Sequence, residues 1–210
     1  MHQILYVGDI HGRLDKLLNI INIANKSNST IVQVGDFGTF WPSNNATDRF
    51  LKTGITEKWN TSDLDKWISK RANRDWKTEI ISVGGNHDNW NVIYDLWNEQ
   101  NNSDKIELVP NSGVFMAARG STLEINGIKH LFLGGAESTD KHHRIDNLTW
   151  WDREQPNQNE FELFFKNLEE YKPDVVVTHD APSRVPLFRV NRDKSITPNT
   201  LEKCLFLSSH

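Results

Sequence analysis

Four short apolar runs in this sequence end in residue types that hold metal ions: Val7-Gly8-Asp9-Ile10-His11-Gly12, Val34-Gly35-Asp36, Val83-Gly84-Gly85-Asn86-His87-Asp88 and Val177-Thr178-His179-Asp180. Carboxylates from Asp9 and Asp36, imidazoles from His11 and His179 and the amide oxygen of Asn86 suit hard or borderline divalent cations. A carboxylate can bridge two such ions. Two metals about 3.5 to 4 Å apart lower the pKa of a water between them toward about 7 and clamp the oxygens of a phosphate during in-line displacement. The chemistry indicated is phosphoester hydrolysis. His87 adds an imidazole suited to give a proton to a leaving alkoxide at neutral pH, with the neighbouring carboxylate of Asp88 fixing its tautomer.

Each motif alone has a plainer reading. An Asp-x-His after a strand is commonly a turn with a cap, Asn86 a turn residue, His179 a hydrogen-bonded histidine, and His87 a capping position before a helix. Their joint placement carries the metal reading, because the carboxyl ends of strands in an open α/β sheet form the crevice where ligands bind. Glycines beside the polar residues let the backbone turn sharply and approach a bound group closely.

The elements that must position these residues follow from hydrophobic periodicity. Strands are expected at Ile4 to Val7, Thr30 to Val34, Ile80 to Val83, Leu131 to Leu133 and Val175 to Thr178. Leu14, Leu17, Leu18, Ile21 and Ala24 form a helical stripe, a second helix is expected over Ser62 to Trp76, and a third over Glu160 to Tyr171. From Gly113 to Leu133 the strands shorten around an Asn126-Gly127 hairpin turn, which suggests a second sheet. Gly38 to Thr61 reads as a long loop of the kind that forms lids or binding loops.

Composition bounds the rest. The 210 residues suit a single domain, residues 1–210, and 37% hydrophobic with 25% charged residues excludes a disordered chain. A net charge of -4 gives no case for tight non-specific binding to nucleic acid or anionic lipid. The lone Cys204 excludes an internal disulfide framework and sites built from several thiolates, and points to a reducing, cytoplasmic setting. The opening apolar run is too short for a signal peptide or a membrane span.

The ordered set GDIHG, GD, GNHD and a strand ending in His resembles the calcineurin-like metallophosphoesterase family, in its small bacterial and phage form, from Gly8 to Pro182. The resemblance implies an α/β (mixed α+β) fold: a four-layer α/β/β/α sandwich of two mixed β-sheets flanked by helices. It implies two divalent metal ions, manganese ahead of iron or zinc, and in-line attack on a phosphoester substrate by a metal-bound hydroxide. By that likeness Asp9 and His11 hold one metal, Asp36 bridges, and Asn86 and His179 hold the other. His87 protonates the leaving oxygen or steadies the phosphate, Asp88 orients its ring, and Asn86 also touches the phosphate. The likeness extends to Gly134 through Glu154, where Arg144 offers a fork to phosphate or pairs with Asp140 or Asp146. In the same segment Trp150 and Trp151 stack on a flat group or pack, and His142 and His143 are expected in solvent.

The likeness departs at its end. Family members finish with Gly-His-x-His, whereas the only histidine after His179 is His210, so five ligands stand where the family pattern has seven. The sequence is therefore expected to stop before that motif, C-terminally incomplete; an inactive form is the other possibility. The absence of a second Asp and an Arg around Gly35 to Thr39, and GNHD in place of GNHE, lean toward phosphodiesterases and general phosphatases. An inert scaffold binding a partner protein is the alternative function, and a nuclease a third that the acidic charge disfavours.

Overall fold

The computed structural model describes residues 2–42, 62–72 and 78–180. Five strands form one sheet: β1 (Gln3–Val7), β2 (Ser29–Gln33), β3 (Ile80–Ser82), β4 (Lys105–Glu107) and β5 (Val114–Ala117), in the order β1-β2-β3-β5-β4. All neighbours are parallel except β4 against β5. A second sheet holds β6 (Thr122–Ile125), β7 (Ile128–Leu133) and β8 (Val175–Thr178), with β7 antiparallel to β6 and parallel to β8. The helices are α1 (Leu14–Ser27), α2 (Asp63–Arg71), α3 (Trp90–Glu99) and α4 (Gln158–Tyr171).

The period-two alternation of side chains along a strand sorts the core into layers. On one face of the first sheet Ile31, Ile80, Val114 and Met116 join Leu17, Ile21, Leu64, Ile68, Trp90 and Ile93 from three helices. On the other face Val32, Ile81, Val83 and Ala117 meet Ile125, Phe132 and Val177 of the second sheet. The outer face of that sheet, Leu131 and Leu133, packs on Phe161 and Phe164 of α4. The result is helices, sheet, sheet, helix, the four-layer arrangement expected.

Several boundaries shift for local reasons. Ser62 caps α2 in a reciprocal box with Asp65, and the helix stops at Arg71 rather than reaching Trp76: Ala72 turns to ψ 134°, and the buried Arg71 donates to the carbonyls of Ser112 and Thr78. The α4 helix begins before Glu160 because Asn157 caps it, its side chain accepting from the Glu160 N–H. The helix α3 is not among those expected from the sequence, although Asn89 caps it and Trp90, Ile93, Tyr94 and Trp97 have helical spacing. Val114–Ala117 was expected in the second sheet but pairs with β3 in the first; the chain changes sheets between Ala117 and Thr122. Asn126 and Gly127, at φ 53° and 78°, make the expected hairpin turn. Of the long loop at 38–61 and the helix at 62–76, residues 43–61 and 73–77 lie outside the described residues. No helix among the described residues is long and apolar enough to cross a membrane.

Between the sheets His130 is fully buried, its Nδ1 2.8 Å from the Ile128 carbonyl and its Nε2 2.7 Å from the Tyr6 hydroxyl. The carbonyl accepts only, so Nδ1 carries the proton and Nε2 accepts from Tyr6. Burial lowers its pKa from the ordinary 6.5. A base lowered in the fold contributes stability that is present above its unfolded pKa and lost as pH falls through its folded one. Urea midpoints should therefore drop more steeply from pH 7 toward pH 5 in the native chain than in His130→Leu; parallel curves would show that His130 is not the titrating group.

Candidate metal centre

The loops after β1, β2 and β3 are bound to one another before any ligand is considered. The Asp36 carbonyl accepts from the N–H groups of Ile10 (3.3 Å) and His11 (2.8 Å), and the Phe37 carbonyl from Gly12 (2.8 Å). Both His11 and Asp36 sit at positive φ, 48° and 51°, the strained left-handed region that clusters at functional sites. Below them Gln33 ties the strand ends together: its Oε1 accepts from the Gly35 N–H at 3.1 Å and from the Ser82 hydroxyl at 2.6 Å. Gly35, at φ 106°, lies so close to His179 that a Cβ there would meet its ring at 2.3 Å.

This scaffold brings together all five residues expected to hold metal. His11 Nε2 lies 3.8 Å from Asp9 Oδ2, and His11 Nδ1 3.7 Å from Asp36 Oδ2. His179 Nε2 lies 3.3 Å from Asp36 Oδ1 and 3.3 Å from Asn86 Oδ1, and its Nδ1 3.9 Å from Asp9 Oδ1. Ligand atoms of His11, Asp36 and His87 fall within 4.8 Å of one another. The side chains of Asp36 and His179 are 5% and 10% exposed while those of Asp9 and His11 are 49% and 45% exposed, so the cluster is walled on one side and open on the other.

A family model for calcineurin-like phosphoesterases matches residues 2–205, which spans every one of these strand ends. The chain belongs to that family. Its members are generally hydrolases acting on phosphoester bonds and usually bind divalent metals in a dinuclear centre. No curated protein matches the chain.

The geometry of this family member fits such a centre. His179 donates its Nδ1–H to the Val34 carbonyl at 3.1 Å, which leaves Nε2 toward the Asp36 and Asn86 oxygens. Metal-binding histidines carry this backbone contact on the other nitrogen. Burial would lower the His179 pKa, but its hydrogen bond to Asp36 and the charges of Asp36 and Asp9 raise it to about 9. The carboxylates thus demand positive charge at this point, and a divalent cation satisfies that demand.

The second expected group needs correction. Asp88 does not orient the His87 ring: its carboxylate is fully buried and accepts from the N–H groups of Phe37, Gly38, Thr39 and Gly85 and from the Thr39 hydroxyl. It braces the β2 and β3 loops instead. Asp88→Ala would leave four buried N–H groups without their acceptor and should cost about 3 kcal/mol or more, read by urea unfolding. A loss under about 1 kcal/mol would contradict that bracing role.

His87 is positioned by residues for which the sequence carries no such expectation. Its ring stacks on Trp41 at 5.0 Å between centroids and meets His11 edge-on at 4.7 Å. Arg144 NH2 donates to its Nε2 at 2.7 Å. Arginine only donates, so Nε2 accepts and the proton resides on Nδ1. Burial, with the Arg144 charge, lowers the His87 pKa against the opposing pull of Asp36. Arg144 also bonds the Asn86 carbonyl at 2.9 Å and pairs with Asp140 at 2.8 Å, the plainer of its two expected roles, while keeping a place beside the site. Trp151 is buried and packs edge-on against Trp41, and Lys141 covers one face of Trp150 at 3.6 Å. His142 and His143 are exposed, as expected. Neither Trp41 nor Asp140 carries a spacing signal linking it to His87. The expected lack of Gly-His-x-His concerns residues beyond 180, outside the described residues.

Proposed function

We propose that this chain is a phosphatase or phosphodiesterase that works with two divalent cations, manganese first among them. The single observation that carries this is His179 Nε2, freed by the Val34 contact, lying 3.3 Å from oxygens of both Asp36 and Asn86. Asp9 and His11 would hold one ion, Asn86 and His179 the other, with Asp36 between them. Bound there, such a pair supplies an activated water and draws charge from the phosphate oxygens.

The chain's own groups do the rest. The His87 backbone N–H donates to Asp36 Oδ1 at 2.8 Å and holds that carboxylate in place. The His87 ring, its proton on Nδ1, steadies a phosphate oxygen by donating a hydrogen bond, while Nε2, engaged by Arg144, carries no proton to give to a leaving group. Arg144, fixed by Asp140, keeps the ring in that tautomer and adds positive charge beside the phosphate. Half-exposed Asp9 and His11 mark the side from which substrate enters.

The test is hydrolysis of p-nitrophenyl phosphate and of its bis ester with manganese present, beside calorimetry of manganese binding. Turnover of at least one ester and uptake of two ions are expected. Silence on both esters by a folded chain would favour the inert scaffold instead.

A further inference from the structure

Asn86 reaches the centre through an amide whose two ends are opposite in kind: Oδ1 can hold a cation, and the Nδ2 hydrogens repel one. Which end faces inward is decided elsewhere. Asn86 Nδ2 donates to Ser138 Oγ at 3.1 Å, Ser138 Oγ donates to Glu154 Oε2 at 2.5 Å, and the Ser138 N–H donates to Glu154 Oε1 at 2.8 Å. A carboxylate only accepts, so the Ser138 hydroxyl proton lies on the Glu154 side and its lone pair toward Asn86. That lone pair can take only Nδ2–H, which leaves Oδ1 toward His179.

The relay is rigid at both ends. Ser138 and Glu154 are 5% and 2% exposed. The Glu154 carbonyl accepts from Arg119 NH2 at 2.7 Å, and the Arg119 guanidinium lies 3.4 Å over the Trp90 ring. Trp90 Nε1 in turn donates at 2.7 Å to the carbonyl of Gly85, the residue before Asn86. Main chain and side chain of Asn86 are thus referred to one buried frame.

We infer that Glu154, acting through Ser138, is a positioning residue that sets the polarity of the Asn86 amide, an inference resting on the metal reading above. Glu154→Gln separates polarity from shape. The Ser138 N–H demands an acceptor, so the glutamine oxygen must face it and the glutamine NH2 must face Ser138 Oγ. The hydroxyl proton then turns to Asn86, and the amide flips with Nδ2 inward.

In manganese calorimetry of Glu154→Gln, one of the two binding steps should weaken about 10- to 100-fold, the scale of outer-shell changes, while the other holds. Ser138→Ala should weaken the same step less, since it frees the amide without reversing it, and Ser138→Ala with Glu154→Gln should be no worse than Ser138→Ala alone. Ser138→Thr should bind as the native chain does. Melting without metal reads folding separately; if Glu154→Gln melts early, the Ser138→Ala and Ser138→Thr pair decides. A native chain that takes up no ion overturns the metal reading. A native chain that takes two, with Glu154→Gln unchanged or its loss simply adding to that of Ser138→Ala, overturns the relay alone.

Discussion

Asp36→Asn should lower kcat/KM for p-nitrophenyl phosphate by at least about 10³-fold while the chain stays folded. Asn tolerates the left-handed backbone that Asp36 adopts at φ 51°, and its amide oxygen can still accept from the His87 N–H. What disappears is a negative charge lying 3.3 Å from His179 and 3.7 Å from His11, between the two groups of donors. Metal-centred charge stabilisation is worth several kcal/mol, and each 1.36 kcal/mol is tenfold in rate, so about 4 kcal/mol gives about 10³. The measurement is steady-state kinetics with manganese beside a thermal melt. Activity within tenfold of the native chain would remove Asp36 from the middle of the chemistry.

Two glycines from different motifs should behave oppositely when changed to alanine. At Gly85 a Cβ would lie 2.2 Å from Asp36 Oδ1, 2.4 Å from the Asp36 backbone nitrogen and 2.7 Å from His179 Nε2. The backbone atom cannot swing aside, because the Asp36 carbonyl is bonded to Ile10 and His11. The loops must part, at about 1 to 3 kcal/mol of overpacking, and a displacement near 1 Å at the reacting groups costs about 10²-fold in rate. At Gly8 a Cβ would meet nothing within 4 Å. Gly85→Ala should therefore lose at least about 10²-fold in activity together with manganese affinity, and Gly8→Ala should stay within a few-fold. Equal effects would mean that the close contact at Gly85 is not what the glycine serves.

The clustering of these five side chains was legible because each belongs to a short local pattern: a β-branched run, a glycine, then a carboxylate, imidazole or amide. Strand-end placement follows from such a pattern without knowledge of distant partners, so Asp9, His11, Asp36, Asn86 and His179 could be grouped in advance. Asp88 misled for the same reason. Adjacent to His87 in sequence, it looked like the partner of that ring, yet its side chain turns to the Phe37 to Thr39 loop. Sequence adjacency says nothing of direction where the backbone bends between two residues.

Residue type and spacing alone determined most of the elements, though not α3 or β4, which side chains stand at strand ends, and that those residue types suit divalent cations and phosphate. Only the tertiary structure decided that Val114–Ala117 joins the first sheet, that Arg144 and Trp41 hold His87, and that Glu154 reaches Asn86 through Ser138. The physical reason is range. Propensity and periodicity act over a few neighbouring residues, whereas strand pairing and buried hydrogen-bond chains join positions far apart in the chain, and many partners of equal chemistry compete until packing selects one.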